Sequence, residues 1–369
     1  MNYIIPFIIL ITIVVFIHEY GHYYFAKKYG VGITDFSIGF GKEIFGWHDK
    51  HGTRWKVCWI PLGGYVKFFG DRNVFSAPEQ QDLINKYSQK DKNKLFILKP
   101  LYQRSIIVAA GPLANFVLAI IIFSIINIFI GKDMTPAVIN EVMDDSPAFA
   151  SGLKQNDKIL SIDKNKVISI LEVSTFINTS ISEKIEFIVM RGDEEVRLFV
   201  TPNLIDSTDA FGNSIKKKVI GIKLSPLNNE FKKEKLGLVK SFYYAVNEVW
   251  FVSITSLKYL LGMLSGATDP SQLGGPIKIA QITGQVAEHG IIPFLNIMAY
   301  ISVSLGLINL FPIPMLDGGH LMFYLFEKIL GRPLKQKTQE GFFRIGLFLL
   351  FSLMFFVTYQ DLKGLAYFN

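Results

Sequence analysis

No charged residue occurs from Met1 to Ile17, and directly after this run the chain reads His18-Glu19-Tyr20-Gly21-His22. An uncharged run of that kind can enter a bilayer only as a helix, the single-chain form that satisfies its own backbone groups there. On a helix, residues four apart share a face, so the imidazoles of His18 and His22 converge. At 1.5 Å per residue from Asn2, His18 lies ~24 Å along the helix, inside a hydrocarbon core ~30 Å thick. Ionisable groups at that depth are costly and mark a functional site.

Half of the 369 residues are hydrophobic and 14% are aromatic, which places the chain among membrane proteins. Three more stretches lack charge: Ser105 to Gly131, Gly290 to Leu316 and Ile345 to Gln360. The last reaches spanning length once Gly341, Phe342 and Phe343 are included. Residues 27–104 hold 14 Lys+Arg against 7 Asp+Glu, net +7, whereas residues 131–290 hold 18 against 19, net −1. The positive-inside bias therefore predicts a cytoplasmic 27–104, an extracytoplasmic 131–290 and both termini outside. The N-terminal run has no basic residue ahead of it, so it reads as a retained anchor. The basic pI of about 9.1 follows from this asymmetry and gives no reason to expect nucleic acid.

The HExxH spacing puts two imidazoles within reach of one metal ion, with Glu19 beside them to take a proton from an attacking water. A catalytic zinc takes three protein ligands, so a third is needed. Directly after the third apolar stretch comes Asn309-Leu310-Phe311-Pro312-Ile313-Pro314-Met315-Leu316-Asp317-Gly318-Gly319. Two prolines break the helix, and irregular backbone at membrane depth is tolerated where protein buries it or it lines a cavity. Asp317 then sits at the same cytoplasmic end as the two histidines, and a His2Asp site closes the count.

Trp55 to Phe69 reads as a hairpin, two aromatic-rich runs around a Pro61-Leu62-Gly63-Gly64 turn. It fits a small sheet on the membrane face, or a re-entrant hairpin whose edge pairs with an extended substrate strand. Residues 71–99 read as a solvated loop or short helix. Short β-like runs from Pro136 to Pro202 predict one small soluble domain, and residues 203–240 read as linker, with Val219-Ile220-Gly221-Ile222 as a candidate strand within it. Residues 241–267, apolar but interrupted by Glu248 and Lys258, fit an interfacial amphipathic helix rather than a fifth span. Cys58 alone excludes an intrachain disulfide and reads as a small core residue. His48 and His51 in a polar loop read as solvated, and His289 as an interface residue.

The chain resembles the site-2 protease family of intramembrane zinc metalloproteases, and most closely its bacterial RseP-type members. The resemblance rests on His18 to His22, Phe36-Ser37-Ile38-Gly39-Phe40-Gly41, Ile60 to Lys67, Gly111-Pro112-Leu113-Ala114-Asn115-Phe116 and Asn309 to Gly319, in family order. It implies a multi-pass α-helical membrane protein of about four transmembrane helices, with a membrane-associated β-hairpin and one extracytoplasmic PDZ-like α+β domain. Four segments follow: 1–130 as the N-terminal membrane half, 131–203 PDZ-like, 204–288 linker and interfacial helix, 289–369 as the C-terminal membrane half.

The same resemblance implies one Zn2+ per chain held by His18, His22 and Asp317, with Glu19 as general base. Asn309 and Asn115 are its substrate or oxyanion positions, and His320 a supporting group behind the ligands. Expected partners are the lipid bilayer, a single-span membrane-protein substrate and a peptide C-terminus at the PDZ-like domain, where Asn156-Asp157 replaces the usual Gly-Asp pair. The expected location is the bacterial inner membrane. The expected substrate is an anti-sigma factor already trimmed outside, or a remnant signal peptide. Two other classes compete: a membrane scaffold, which the presence of Glu19 disfavours, and a zinc transporter, which would need polar residues in the second and fourth stretches.

Overall fold

The computed structural model describes residues 3–70, 87–208, 214–226, 230–266 and 273–366. The loop expected over 71–99 therefore lies outside the described residues from 71 to 86. Four described helices are long and apolar enough to cross a membrane: Ile4–Lys28, Leu101–Phe129, Ile291–Asn309 and Lys337–Lys363. They fall on the four uncharged stretches. The chain divides into two compact units, Met1–Ile122 with Gly275–Tyr359, and Phe123–Gly274 with Gln360–Asn369.

In the first unit, helix α1 (Ile4–Lys28) closes on Lys27 and Lys28, cations that suit a helix C-terminus. It packs on α2 (Leu101–Phe129), and Leu10, Val14, Ala26 and Ile107 are fully buried. Gly21 allows the close approach, since a Cβ there would collide with the Ala110 backbone. Helices α5 (Pro276–Glu288), α6 (Ile291–Asn309), α7 (Asp317–Leu330) and most of α8 (Gln336–Ala366) complete the unit. Helix α4 belongs to the second unit and is described with it.

Strands β1 (Ile33–His48) and β2 (Arg54–Phe68) form an antiparallel hairpin beneath α1. Its arms differ from those expected. The two runs on either side of Pro61–Gly64 do not face each other, because β1 lies between them. Asp35 to Ile38 pairs with Lys67 to Gly64 on one side and with Arg54 to Val57 on the other. A second reach of β1, Phe45 to His48, covers Val57 to Arg54. The cause is hydrophobic. Phe36 is fully buried, stacks on Trp55 at 4.2 Å between ring centroids and meets Phe16 of α1 edge-on at 5.7 Å.

Asp49 pins the hairpin's turn. It accepts the Tyr23 hydroxyl (2.8 Å) and the Thr53 and His51 amides (2.9 and 2.8 Å). Burial would raise its pKa, but these bonds hold the carboxyl well below the usual carboxylate range. Among the described residues, no strand pairs with the outer edge of Gly64–Phe68.

The second unit holds a six-stranded sheet in the order β11-β4-β5-β7-β8, with β6 (Asn165–Lys166) on β5. These strands are β4 (Val138–Val142), β5 (Lys158–Ile162), β7 (Ile185–Arg191), β8 (Glu194–Val200) and β11 (Ile222–Ser225). Alternate residues Ile185, Phe187 and Val189 bury one face against Val173, Phe176 and Ile177 of helix α3 (Ile170–Thr179). Ser169 and Glu172 cap that helix reciprocally. Asp157, fully buried, is held by Arg191 at 2.7 and 2.8 Å.

The stretch expected as linker after residue 203 is more ordered than its polarity suggested. Strands β9 (Asn203–Thr208) and β10 (Ser214–Val219) pair with each other, and β11 joins β4 at the sheet edge. Ile220, 2% exposed, enters the core and carries the sheet domain past its expected boundary. A short pair, β3 (Lys132–Asp133) with β12 (Lys233–Glu234), leads into α4 (Leu238–Leu264), which is not one of the span-like helices. Lys132 bonds Glu248 of α4 at 3.0 Å, and Phe251 meets Phe176 at 5.2 Å. Val239, Phe242, Tyr243 and Trp250 form an exposed stripe at helical spacing on α4.

Candidate active site

His18 and His22 project from α1 toward Asp317, the first residue of α7. Nε2 of His18 lies 3.2 Å and Nε2 of His22 3.5 Å from the same carboxylate oxygen, Oδ2. The two Nε2 atoms are 3.3 Å apart. Zinc bonds of about 2.0–2.1 Å in a tetrahedron set neighbouring donors about 3.3 Å apart, so the triangle fits such an ion. Among the described residues no other His, Cys, Asp or Glu joins this cluster.

The outer nitrogens of the rings are engaged too. Nδ1 of His22 meets the Ile107 carbonyl at 2.9 Å, which fixes its proton on Nδ1 and turns the Nε2 lone pair inward. Nδ1 of His18 meets the side-chain amide of Asn115 at 3.2 Å. Asn115 is completely buried, its own carbonyl accepts Ser302 Oγ at 2.9 Å, and its Oδ1 is a buried atom without a partner. With the amide turned so that Oδ1 accepts the His18 Nδ1–H, that orphan is satisfied and both Nε2 atoms are free for metal.

Gly111 makes room for His22, because a Cβ at this position would run into the imidazole. Gly111→Ala is expected to displace His22 and lower zinc content below one per chain, as checked by metal analysis. The sequence marks this glycine as the first residue of the Gly111-to-Phe116 motif, without showing what it touches. Its function is visible once α1 and α2 cross.

Glu19 lies beside the triangle under the outer arm of the hairpin. The Val66 backbone lies beside its carboxylate, and a Cβ on Gly64 would sit 3.0 Å from its Cγ. A cavity of about 620 Å³ opens here, lined by His18, Glu19, His22, the Gly63–Phe68 backbone and Asp317. Asn309, at the last turn of α6, and His320 also line it. His320 packs its ring against Phe343 at 5.7 Å and forms cavity wall. The structure thus gathers His18, His22 and Asp317, puts Asn115 behind His18, and leaves Asn309 and His320 on the walls. Met315, at φ 92°, holds a left-handed conformation two residues before Asp317, where the broken helix turns the carboxylate inward.

A paired imidazole and carboxylate donor set with a second carboxylate at its side is the equipment of a zinc-dependent hydrolase. Comparison with known proteins carries this further. Residues 6–353 match the model of Peptidase family M50. A protein of Agrobacterium fabrum that carries a zinc metalloprotease assignment is 39% identical, over 99% of this chain and 96% of its own length. The metalloprotease MmpA of Caulobacter vibrioides is 36% identical over 98% and 95%. A Rickettsia conorii protein with a zinc metalloprotease assignment is 36% identical over 98% and 99%. The chain belongs to Peptidase family M50, the site-2 protease family, and is a membrane-embedded zinc metalloprotease.

Proposed function

We propose that this protein hydrolyses peptide bonds within or beside the transmembrane segment of single-span membrane proteins, with one Zn2+ held by His18, His22 and Asp317. The observation that supports it most is the buried His2Asp triangle at one end of a cavity walled by an unpaired strand edge. Zinc, when bound, acidifies water and polarises a carbonyl oxygen. Glu19 takes the proton of the attacking water on its carboxylate and returns it to the leaving amine. Asn309, at the cavity wall, is placed to bond substrate backbone.

A helical substrate hides its carbonyls in i to i−4 bonds and must unwind before it is cut. The outer edge of Gly64–Phe68 offers those freed groups partners and sets an extended strand alongside Glu19. Val66→Pro removes an amide from this edge. In liposomes it is expected to slow cleavage of a stable helix more than that of a helix softened by Gly and Pro. Taking the ratio of the two rates cancels any direct effect on Glu19, and an unchanged ratio contradicts edge pairing.

The charge asymmetry supports an inner-membrane protein with the sheet domain and both termini outside. That domain is PDZ-like in its helix-and-strand order and is a candidate site for a peptide C-terminus. The exposed stripe of Val239, Phe242, Tyr243 and Trp250 fits α4 lying in the membrane interface. Anti-sigma-type factors and remnant signal peptides are the substrate classes proposed, by analogy with the family.

A further inference from the structure

Two facing stripes of side chains frame the cavity. On α2, Arg104, Val108, Gly111 and Asn115 recur at spacings of four, three and four and share a helix face. On α7, Asp317, His320, Tyr324 and Glu327 recur at spacings of three, four and three and likewise share a face, and all four line the cavity together with Arg104 and Val108. The stripes run in opposite directions. At one end Asn115 meets His18, which meets Asp317. At the other end Arg104 donates to both carboxylate oxygens of Glu327, Nη1 to Oε2 at 3.1 Å and Nη2 to Oε1 at 2.5 Å. Asn115 and Arg104 are about 16 Å apart along α2, and Asp317 and Glu327 about 15 Å apart along α7, so the two ends match.

The ion pair is held in place on other sides as well. Arg104 Nε donates to the Lys99 carbonyl at 3.1 Å, and the guanidinium lies 5.1 Å over the Tyr324 ring. The side chains are 13% and 18% exposed. Desolvation offsets most of the Coulomb attraction of a pair this buried, so net stability is a poor reason for it. What a bidentate guanidinium–carboxylate fork supplies is fixed geometry.

We infer that Arg104 and Glu327 are positioning residues, a clamp that sets the spacing of α2 and α7 and so holds Asp317 at ligand distance from the two histidines. This rests on the reading that His18, His22 and Asp317 hold zinc.

The test is zinc affinity of the purified full-length chain by chelator competition. Glu327→Gln and Arg104→Gln are each expected to weaken zinc about tenfold, the lower end of what loss of an outer support costs a metal site. The exchange Arg104→Glu with Glu327→Arg is expected to recover most of that loss, while the thermal midpoint in saturating zinc stays at the wild-type value. Wild-type affinity in Glu327→Gln, or an exchange no better than the single changes, overturns the clamp. So does a midpoint that falls in step with affinity, which would assign the pair to stability. If Arg104→Gln does not fold, Arg104→Lys decides: a partial loss supports the clamp and wild-type affinity overturns it. Asp317→Ala separates the two readings. Zinc lost there but kept in Glu327→Gln removes the clamp alone, whereas zinc kept at wild-type affinity in Asp317→Ala removes the ligand assignment itself.

Discussion

Glu19→Gln is expected to lower kcat by about 10²–10⁴-fold, the usual contribution of a positioned general base, while zinc stays at one per chain. Glutamine has nearly the shape of glutamate, so the contacts around Gly64 and Val66 persist, but its amide cannot take a proton. Neither Nε2 of the histidines nor Oδ2 of Asp317 is altered, and so the metal site stands. KM should change little, because the loss is confined to the transition state. Steady-state cleavage of a single-span substrate, with zinc quantified on the same sample, checks both halves. Undiminished turnover would remove Glu19 from the chemistry.

Asp317→Ala is expected to weaken zinc by at least about 100-fold and to abolish cleavage with it. The carboxylate is the one donor supplied by the C-terminal half of the chain, and it faces two histidines from the N-terminal half. Without it two imidazoles remain, one protein ligand short of a catalytic zinc site. The residual chain should keep its fold, since α7 is also seated by Gly318 and Gly319 against the backbone at Leu310 and Ile313. Metal analysis after dialysis gives the answer, and retention of one tightly bound zinc would mean another ligand set.

Much of this site is legible in the sequence because its chemistry is local at each end. His18, Glu19 and His22 need only one helical turn to share a face, and Pro312, Pro314, Gly318 and Gly319 announce a broken helix before any partner is known. Their meeting point needs topology, and the loop charges predict one that puts both at the same end. Other features depend on contacts between distant segments. The Pro61–Gly64 stretch looks like a hairpin turn, yet Phe36, far upstream, inserts its strand between the two arms. Lys216, Lys217 and Lys218 give β10 a linker-like polarity, whereas Val219-Ile220-Gly221-Ile222 already reads as a candidate strand, and the buried side chain of Ile220 commits the following strand to the sheet. Arg104 looks ordinary in sequence, and Gly111 stands in a motif whose role stays hidden, because each acts on a residue of another helix.

We propose that zinc-dependent hydrolysis occurs on a membrane-spanning segment at this cavity. Mass spectrometry of the products of a single-span substrate, cut by the purified protein in liposomes before and after zinc removal and return, tests it most directly. The expected cut lies in or immediately beside the apolar segment, disappears with the metal and reappears when zinc is restored. Cuts confined to the distant soluble flanks, or cleavage that persists without zinc, would contradict it.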